Sequence, residues 1–216
     1  MPKFPEPPSA ADLQSLGPEC RIVPAGFRLG RIFMRGGPHP ADWNGFRHWG
    51  PTQSRFDHHE LSASGTPCDQ TRGIQYSAGP DGAGALATCA AEVFQLTRVI
   101  NRKAGAPWFC VFGTARSLTL LDLTGRWPTR AGASAAIATG PRARARRWSA
   151  AIYDAYHAID GLIYRSSMAG DAEVVALFER AGTAMPPRPD FHRALDDPAL
   201  QRPLLDAAAA IGYDLL

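Results

Sequence analysis

Long apolar runs are missing from this chain of 216 residues. No segment approaches the roughly 18 consecutive apolar residues that a membrane-spanning helix needs. The N-terminal stretch MPKFPEPPSA carries a charge, but the apolar stretch of a secretory signal does not follow it. We therefore expect a cytoplasmic protein that does not contact a membrane.

Cysteine pairs and metal-binding motifs are also scarce. The four cysteines show no CxxC spacing, and two of them lie in apolar runs, where a reduced thiol behaves as a small hydrophobic residue. The nearest metal-like group is His58, His59 and Glu60, with Cys68 and Asp69 nearby. Adjacent histidines on an extended segment point to opposite faces, so a solvated loop is favoured over a metal site. We expect no metal.

Recognised nucleotide and hydrolase motifs are absent as well. The chain has no HExxH, GxxxxGK[ST] or GxSxG motif, and no GxGxxG follows a strand. The formal charge of +3 is too small for direct nucleic-acid binding, which needs many basic residues on one face, but it suits a small anionic ligand. Only Lys3 and Lys103 are lysines, so arginine is the ordinary basic residue here.

Apolar periodicity predicts a single α+β domain with a mixed or antiparallel central sheet and flanking helices. Strands are expected at 27–33, 73–78, 107–113, 117–123 and 161–166, and helices at 10–16, from about 85, from about 141 to 157, from 171 to 182 and at about 203–211. A turn precedes the second helix at Pro80 and Asp81. We divide the chain into an irregular lead-in (1–25), a central domain (26–183) and a C-terminal proline-rich segment with a packing helix (184–216).

Five polar residues lie at the ends of these predicted elements: Arg31, Arg55, Tyr76, Glu92 and Ser166. Glu92 lies at the edge of an apolar helical stripe, one turn from Thr88, and its sequence neighbours offer no partner at i±4. The other residues also have structural interpretations, since Arg55 could pair with Asp57 or Glu60, Tyr76 could belong to the core and Ser166 could complete a strand end. The arginines at 142, 144, 146 and 147 are interpreted as a solvated helix start.

The segments SRFD (54–57), QYSA (75–78), ALATCAAEVF (85–94) and DGLIYRSS (160–167) occur in an order that resembles the RES family. This family takes its name from an arginine, a glutamate and a serine. The similarity runs from about residue 30 to residue 182. It implies a fold like that of ADP-ribosyltransferases.

The resemblance also implies roles for individual residues. Glu92, Arg55, Tyr76 and Ser166 take the catalytic positions, and Arg31, Arg55, Tyr76 and Ser166 take the positions that bind NAD. The sequence departs from the family pattern in two places. Gly30 stands where a tyrosine is expected before Arg31, and the interval between Arg55 and Tyr76 is long, which puts an insertion with His58 and His59 near the expected pocket mouth.

RES proteins are known mainly as toxins of toxin–antitoxin pairs that consume NAD. The resemblance therefore implies an enzyme that cleaves the nicotinamide–ribose bond of NAD, as a glycohydrolase or a phosphorylase. A protein ADP-ribosyltransferase and a catalytically silent module that binds a nucleotide or a partner remain as alternatives. The implied partner is an Xre-type helix-turn-helix antitoxin, and the sequence leaves a homodimer open.

Overall fold

The computed structural model describes residues 4–79 and 82–216 of the chain. The predicted turn at Pro80 and Asp81 and the first three residues of the lead-in lie outside that part. The helices are α1 (Ala10–Leu16), α2 (Gly82–Val93), α3 (Trp127–Arg130), α4 (Ala136–Thr139), α5 (Arg142–Ala155) and α6 (Gln201–Ile211). The strands are β1 (Cys20–Val23), β2 (Arg28–Met34), β3 (Arg47–Gly50), β4 (Cys68–Ala78), β5 (Val99–Ile100), β6 (Pro107–Gly113), β7 (Leu118–Asp122), β8 (Gly161–Arg165), β9 (Glu173–Phe178), β10 (Phe191–Ala194) and β11 (Asp214–Leu215).

A nine-stranded mixed sheet forms the centre of the fold. Its strand order is β1-β7-β8-β9-β4-β2-β6-β10, and β3 pairs with β4 outside this path. The β7–β8 pair is parallel, and the other pairs in this sheet are antiparallel. The predicted α+β domain with a mixed sheet and flanking helices is confirmed.

The sheet is weakest between β2 and β4. These strands share one pair, Gly30 with Ala78, whereas β2 pairs with β6 over seven positions and β4 pairs with β9 over five. Two well-paired parts of the sheet therefore separate on either side of the Gly30–Ala78 pair. Helix α2 contacts both β2 and β4 at this point, and the space between the two parts becomes a cleft.

The two faces of the sheet bury different sets of residues. On one face Ile32, Ile74 and Leu162 pack against the helices. On the other face Leu29 and Phe33 pack with residues of loops and of the 3₁₀ helix Glu179–Ala184. Because side chains alternate along a strand, a residue of β2 reaches the helix side only at every second position.

The segment after Asp171 corrects one prediction, because it is not a helix. Residues Glu173–Phe178 form strand β9, and Glu179–Ala184 is a 3₁₀ helix. Val175 and Leu177 are fully buried on one face, while Ala176 and Phe178 are fully buried on the other. An apolar run that is buried on both faces lacks the alternation of a surface strand, and its spacing can imitate a helical stripe.

Most other predicted elements are confirmed, including the helix at Ala10–Leu16 and the strand at Pro107–Gly113. The lead-in also contains β1, which pairs with β7 and so belongs to the central sheet. Strands β3 and β10 are short elements outside the strands that the sequence predicted. Among the helices that the structure describes, none combines the length and the apolar character needed to cross a membrane.

Candidate active site

A cleft of about 600 Å³ opens where β2 and β4 separate. This volume lies within the range of roughly 300–1,000 Å³ that is typical of small-molecule and cofactor sites. Its floor consists of residues from the strands, and its walls come from helix α2, the loop after β3 and the start of α5. The polar side chains that line it are Thr52, Gln53, Ser54, Arg55, Tyr76, Ser77, Thr88, Glu92, Gln95, Arg142, Tyr164 and Ser167.

Glu92 lies near the end of α2, and its carboxylate is held by Ser166. The Ser166 hydroxyl donates a hydrogen bond to Glu92 Oε1 at 2.5 Å. The Ser166 hydroxyl oxygen itself accepts hydrogen bonds from the backbone N–H groups of Met168 at 3.1 Å and Ala169 at 3.0 Å. Because a hydroxyl has one proton to donate, these two N–H donors direct the proton towards Glu92. The turn after β8 thus fixes the orientation of the carboxylate.

Arg55 projects into the cleft from a loop that is organised by Asp57. Asp57 is fully buried, lies 2.5 Å from Arg47 Nη2 and accepts hydrogen bonds from the backbone and hydroxyl of Thr52, both at 2.6 Å. Arg55 itself donates to the Gly140 carbonyl at 2.5 Å. Arg55 therefore does not take the structural role of pairing with Asp57, which already has a cationic partner.

Tyr76 lines the cleft on β4 and also supports this loop. Its hydroxyl donates to Asp57 Oδ1 at 3.1 Å and accepts a hydrogen bond from the Phe56 N–H at 3.1 Å. Burial and the Asp57 charge raise the pKa of Tyr76 well above its usual value. The tyrosine therefore stays protonated, and its ring is held in a fixed position beside the cleft.

Arg31 is not brought to the cleft. Its guanidinium donates to the backbone carbonyls of Asp42 at 3.2 Å, Trp43 at 2.9 Å and Gly45 at 2.9 Å. It shares the face of β2 that carries Leu29 and Phe33, away from the helices. Burial lowers the pKa of Arg31 to about 10. A role in binding NAD stays a prediction, and this geometry does not support it.

Tyr164 and Arg142 are among the cleft residues that the sequence analysis did not propose for the site. Tyr164 is nearly buried on β8, two positions before Ser166, and strand alternation alone would have placed both on one face. Burial, followed by the Glu92 charge, raises the pKa of Tyr164. Arg142, which the sequence analysis interpreted as part of a solvated helix start, begins α5 and also lines the cleft. The sequence alone does not distinguish Arg142 from the other arginines of this run, so its position at the cleft could not be predicted.

The two departures from the expected pattern have different structural consequences. A side chain could not be added at Gly30, because its Cβ would lie 2.7 Å from the Ala85 Cβ. His58 and His59 are buried, so their interpretation as a solvated loop is wrong. His58 stacks on Tyr153 with ring centroids 4.3 Å apart, and residues 58–67 do not line the cleft. The expectation that this insertion lies near the pocket mouth stays a prediction.

A metal site would need several ligating side chains to converge within residues 4–79 and 82–216, which the structure describes. In that part of the chain, three or more His, Cys, Asp or Glu side chains do not come together in a group that could hold a metal ion. The polar groups of the cleft are instead arginines, tyrosines, hydroxyls, glutamine amides and a carboxylate.

A family model decides the classification. The model of the RES domain matches residues 28–197, which is most of the chain. The chain belongs to the RES family. The assignment of the arginine, glutamate and serine of the RES name to Arg55, Glu92 and Ser166 stays a prediction from the sequence. In this RES protein Arg55 and Glu92 line one cleft, and Ser166 bonds directly to Glu92.

The RES fold seen here is similar to that of a chain in the crystal structure of the M. tuberculosis MbcT–MbcA toxin–antitoxin complex. The two chains are 12% identical and superpose with a TM-score of 0.56 over 93% of this chain and 96% of that chain. At this identity the likeness concerns the fold. A comparison with curated protein sequences found no match.

Proposed function

We propose that this RES protein is a toxin that degrades NAD by cleaving the bond between nicotinamide and ribose. The observation that carries the proposal is the Glu92 carboxylate, which Ser166 orients in a cleft that also contains Arg55 and two tyrosines. The RES family membership supports the same reaction class. NAD is the substrate in this proposal, and no step requires a metal.

The chemistry follows from the charge that develops when this bond breaks. The C1′–N bond cleaves, nicotinamide leaves as a neutral molecule, and the ribose acquires oxocarbenium-like positive charge. A fixed carboxylate beside C1′ stabilises that charge more in the transition state than in the ground state. Water or phosphate then adds to C1′ and loses a proton. Glu92 suits this role because the hydrogen-bond partner of its carboxylate is a neutral hydroxyl, and within the described residues no ion pair holds the carboxylate.

The other cleft residues suit the remaining parts of NAD. Tyr76 and Tyr164 provide aromatic surfaces beside Glu92, and an aromatic ring packs well against the flat nicotinamide. Arg55 has five N–H donors, which suit the oxygens of the pyrophosphate. A cleft that holds the nicotinamide end near Glu92 and the phosphates near Arg55 would place C1′ next to the carboxylate.

We also propose a separate Xre-type helix-turn-helix protein as antitoxin. The support is the RES family membership together with the fold shared with a chain of a toxin–antitoxin complex. An antitoxin of this kind would bind over the cleft or near it and so restrain NAD consumption. Co-expression with an Xre-type helix-turn-helix protein tests this, since the cognate partner should restore growth and purify with the RES protein.

The proposed toxicity can be tested by expressing the parent and Glu92→Gln at equal levels without a partner. The parent should slow growth and lower cellular NAD, whereas Glu92→Gln should do neither and so controls for the burden of expression. Unchanged NAD in a culture that contains the folded parent would refute the toxin assignment. Measuring ADP-ribose, ADP-ribose phosphate and labelled protein in one reaction then identifies the acceptor, and labelled protein as the main product would favour an ADP-ribosyltransferase.

A further inference from the structure

The cleft has a second arginine that does not belong to the residues in the RES name. Arg142 is the first residue of α5 and lines the same cleft as Arg55. The Arg55 guanidinium donates to the carbonyl of Gly140, two residues before Arg142. Burial, followed by the Arg142 charge, lowers the pKa of Arg55. The fold thus brings two like charges together at the cleft.

Neither arginine is neutralised by a carboxylate within the part of the chain that the structure describes. Arg55 is bound to a backbone carbonyl, and Arg142 donates to the side-chain oxygen of Gln95. Other arginines of the same helix behave differently, since Arg144 and Arg147 pair with Glu6 at 3.1 and 2.6 Å. Two adjacent cations with only neutral partners leave a net positive charge facing the cleft, which favours an anionic ligand.

The position of Arg142 is tied to that of Glu92. The Gln95 side chain donates through Nε2 to the Glu92 carbonyl at 2.7 Å, and its oxygen accepts the bond from Arg142. One amide therefore links the end of the helix that carries Glu92 to the start of the helix that carries Arg142. The fourteen-residue helix α5 adds the positive end of its dipole at the same place. The cationic pair thus lies at a fixed position relative to the carboxylate.

We infer that Arg142 and Arg55 together bind the pyrophosphate of a dinucleotide, and that Arg142 supplies the second cation that buried Arg31 does not provide. A pyrophosphate diester carries one negative charge on each phosphate, which matches one guanidinium for each group. A ligand with one phosphate satisfies only half of this pair. The site therefore selects dinucleotides over mononucleotides and nucleosides. This inference rests on the proposed function for the identity of the dinucleotide as NAD.

The direct test is calorimetric titration of inorganic pyrophosphate and inorganic phosphate into the whole protein. The parent should bind pyrophosphate more tightly than phosphate, and Arg142→Gln should weaken pyrophosphate binding about tenfold or more, as expected for the loss of a charge-assisted contact. Arg147→Gln removes the same charge from the same helix outside the cleft and should leave this affinity within about twofold of the parent. Equal pyrophosphate affinity in Arg142→Gln and Arg147→Gln would overturn the inference.

A kinetic comparison separates this inference from the proposed function. Arg142→Gln should raise the KM for NAD about tenfold while leaving the cleavage of nicotinamide riboside, which has no phosphate, unchanged. Loss of both activities to the same degree would also overturn the inference. If Arg142→Gln has a lower melting temperature than the parent, Arg142→Lys allows the same comparison with a smaller expected increase in the KM for NAD. Pyrophosphate binding that depends on Arg142 in a protein that leaves NAD intact would refute the proposed reaction and support the anion site.

Discussion

Two regions of this molecule bring a glutamate, an arginine and a tyrosine together, and they differ in how their charges are balanced. In the cleft, Glu92 is bound by the neutral Ser166 hydroxyl, and Arg55 is bound by a carbonyl. Around Glu179, the groups satisfy one another. Tyr153 donates to this carboxylate at 2.5 Å, the Gly73 N–H donates at 2.9 Å, and the Arg180 guanidinium lies 3.7 Å from the Tyr153 ring centroid.

The difference shows that residue types alone do not identify a site. Burial opposes the ionised form of Glu179, but the neighbouring His58 ring, the Tyr153 hydroxyl and the Gly73 N–H outweigh it and lower the pKa of this carboxyl to about 2. That cluster uses its hydrogen bonds to hold α5 against the sheet. The cleft instead keeps its charges available for a ligand. Substitutions in the two regions should therefore have opposite effects on activity and stability.

The largest effect is expected from Glu92→Gln. The amide keeps the size and one acceptor oxygen but removes the charge that opposes the developing cation, so kcat should fall by roughly a hundredfold to ten-thousandfold. Binding of NAD and the melting temperature should stay close to those of the parent. Kinetics on a variant with an unchanged melting transition check this. Turnover within about threefold of the parent would show that the active site is assigned wrongly.

Ser166→Ala should have the next largest effect. A hydrogen bond to a charged group contributes about 1.5–3 kcal/mol, so losing the bond to Glu92 should lower kcat by roughly ten- to a hundredfold. Ser166→Thr keeps a hydroxyl and should retain more activity. Ser167→Ala is the matched control, because Ser167 lines the cleft without donating to Glu92. Equal losses in the two alanine variants would show that Ser166 does not act through this bond.

Arg55→Ala should affect binding more than chemistry. A phosphate contact is present in both the ground state and the transition state, so KM should rise about tenfold while kcat stays within about threefold. Steady-state kinetics with NAD provide the measurement, and exposed Arg202→Ala is the control for loss of one positive charge. A fall in kcat with an unaltered KM would give Arg55 a catalytic role instead.

The smallest effect on activity, and the clearest on stability, is expected from Glu179→Gln. Weakening the hydrogen bonds of this carboxylate should cost about 1–3 kcal/mol, which lowers the Tm of a domain of this size by roughly 2–10 °C. Activity below the transition should stay within about twofold of the parent, because Glu179 does not line the cleft. A large loss of activity at unchanged Tm would break the contrast between the two regions.

Some elements of the fold and some residues of the cleft could be predicted from the sequence. The strand Pro107–Gly113 and the helix that carries Glu92 follow from local patterns, and strand alternation from Ser166 could also have indicated Tyr164. The side of the sheet that Arg31 faces could not be predicted, because it depends on which face of β2 receives helix α2. The run from Val174 to Phe178 was predicted wrongly as a helix. A strand that is buried on both faces of a sheet lacks the alternation of apolar and polar residues by which a strand is recognised.

The central claim is that this cleft breaks the nicotinamide–ribose bond of NAD at Glu92. The most direct measurement uses purified parent protein and NAD labelled in the nicotinamide ring, and it follows free nicotinamide and remaining NAD together. We expect one nicotinamide to be released for each NAD consumed, and we expect Glu92→Gln to bind NAD while releasing nicotinamide at least about a hundredfold more slowly. Intact NAD after prolonged incubation with the folded parent, or equal release by both proteins, would contradict it.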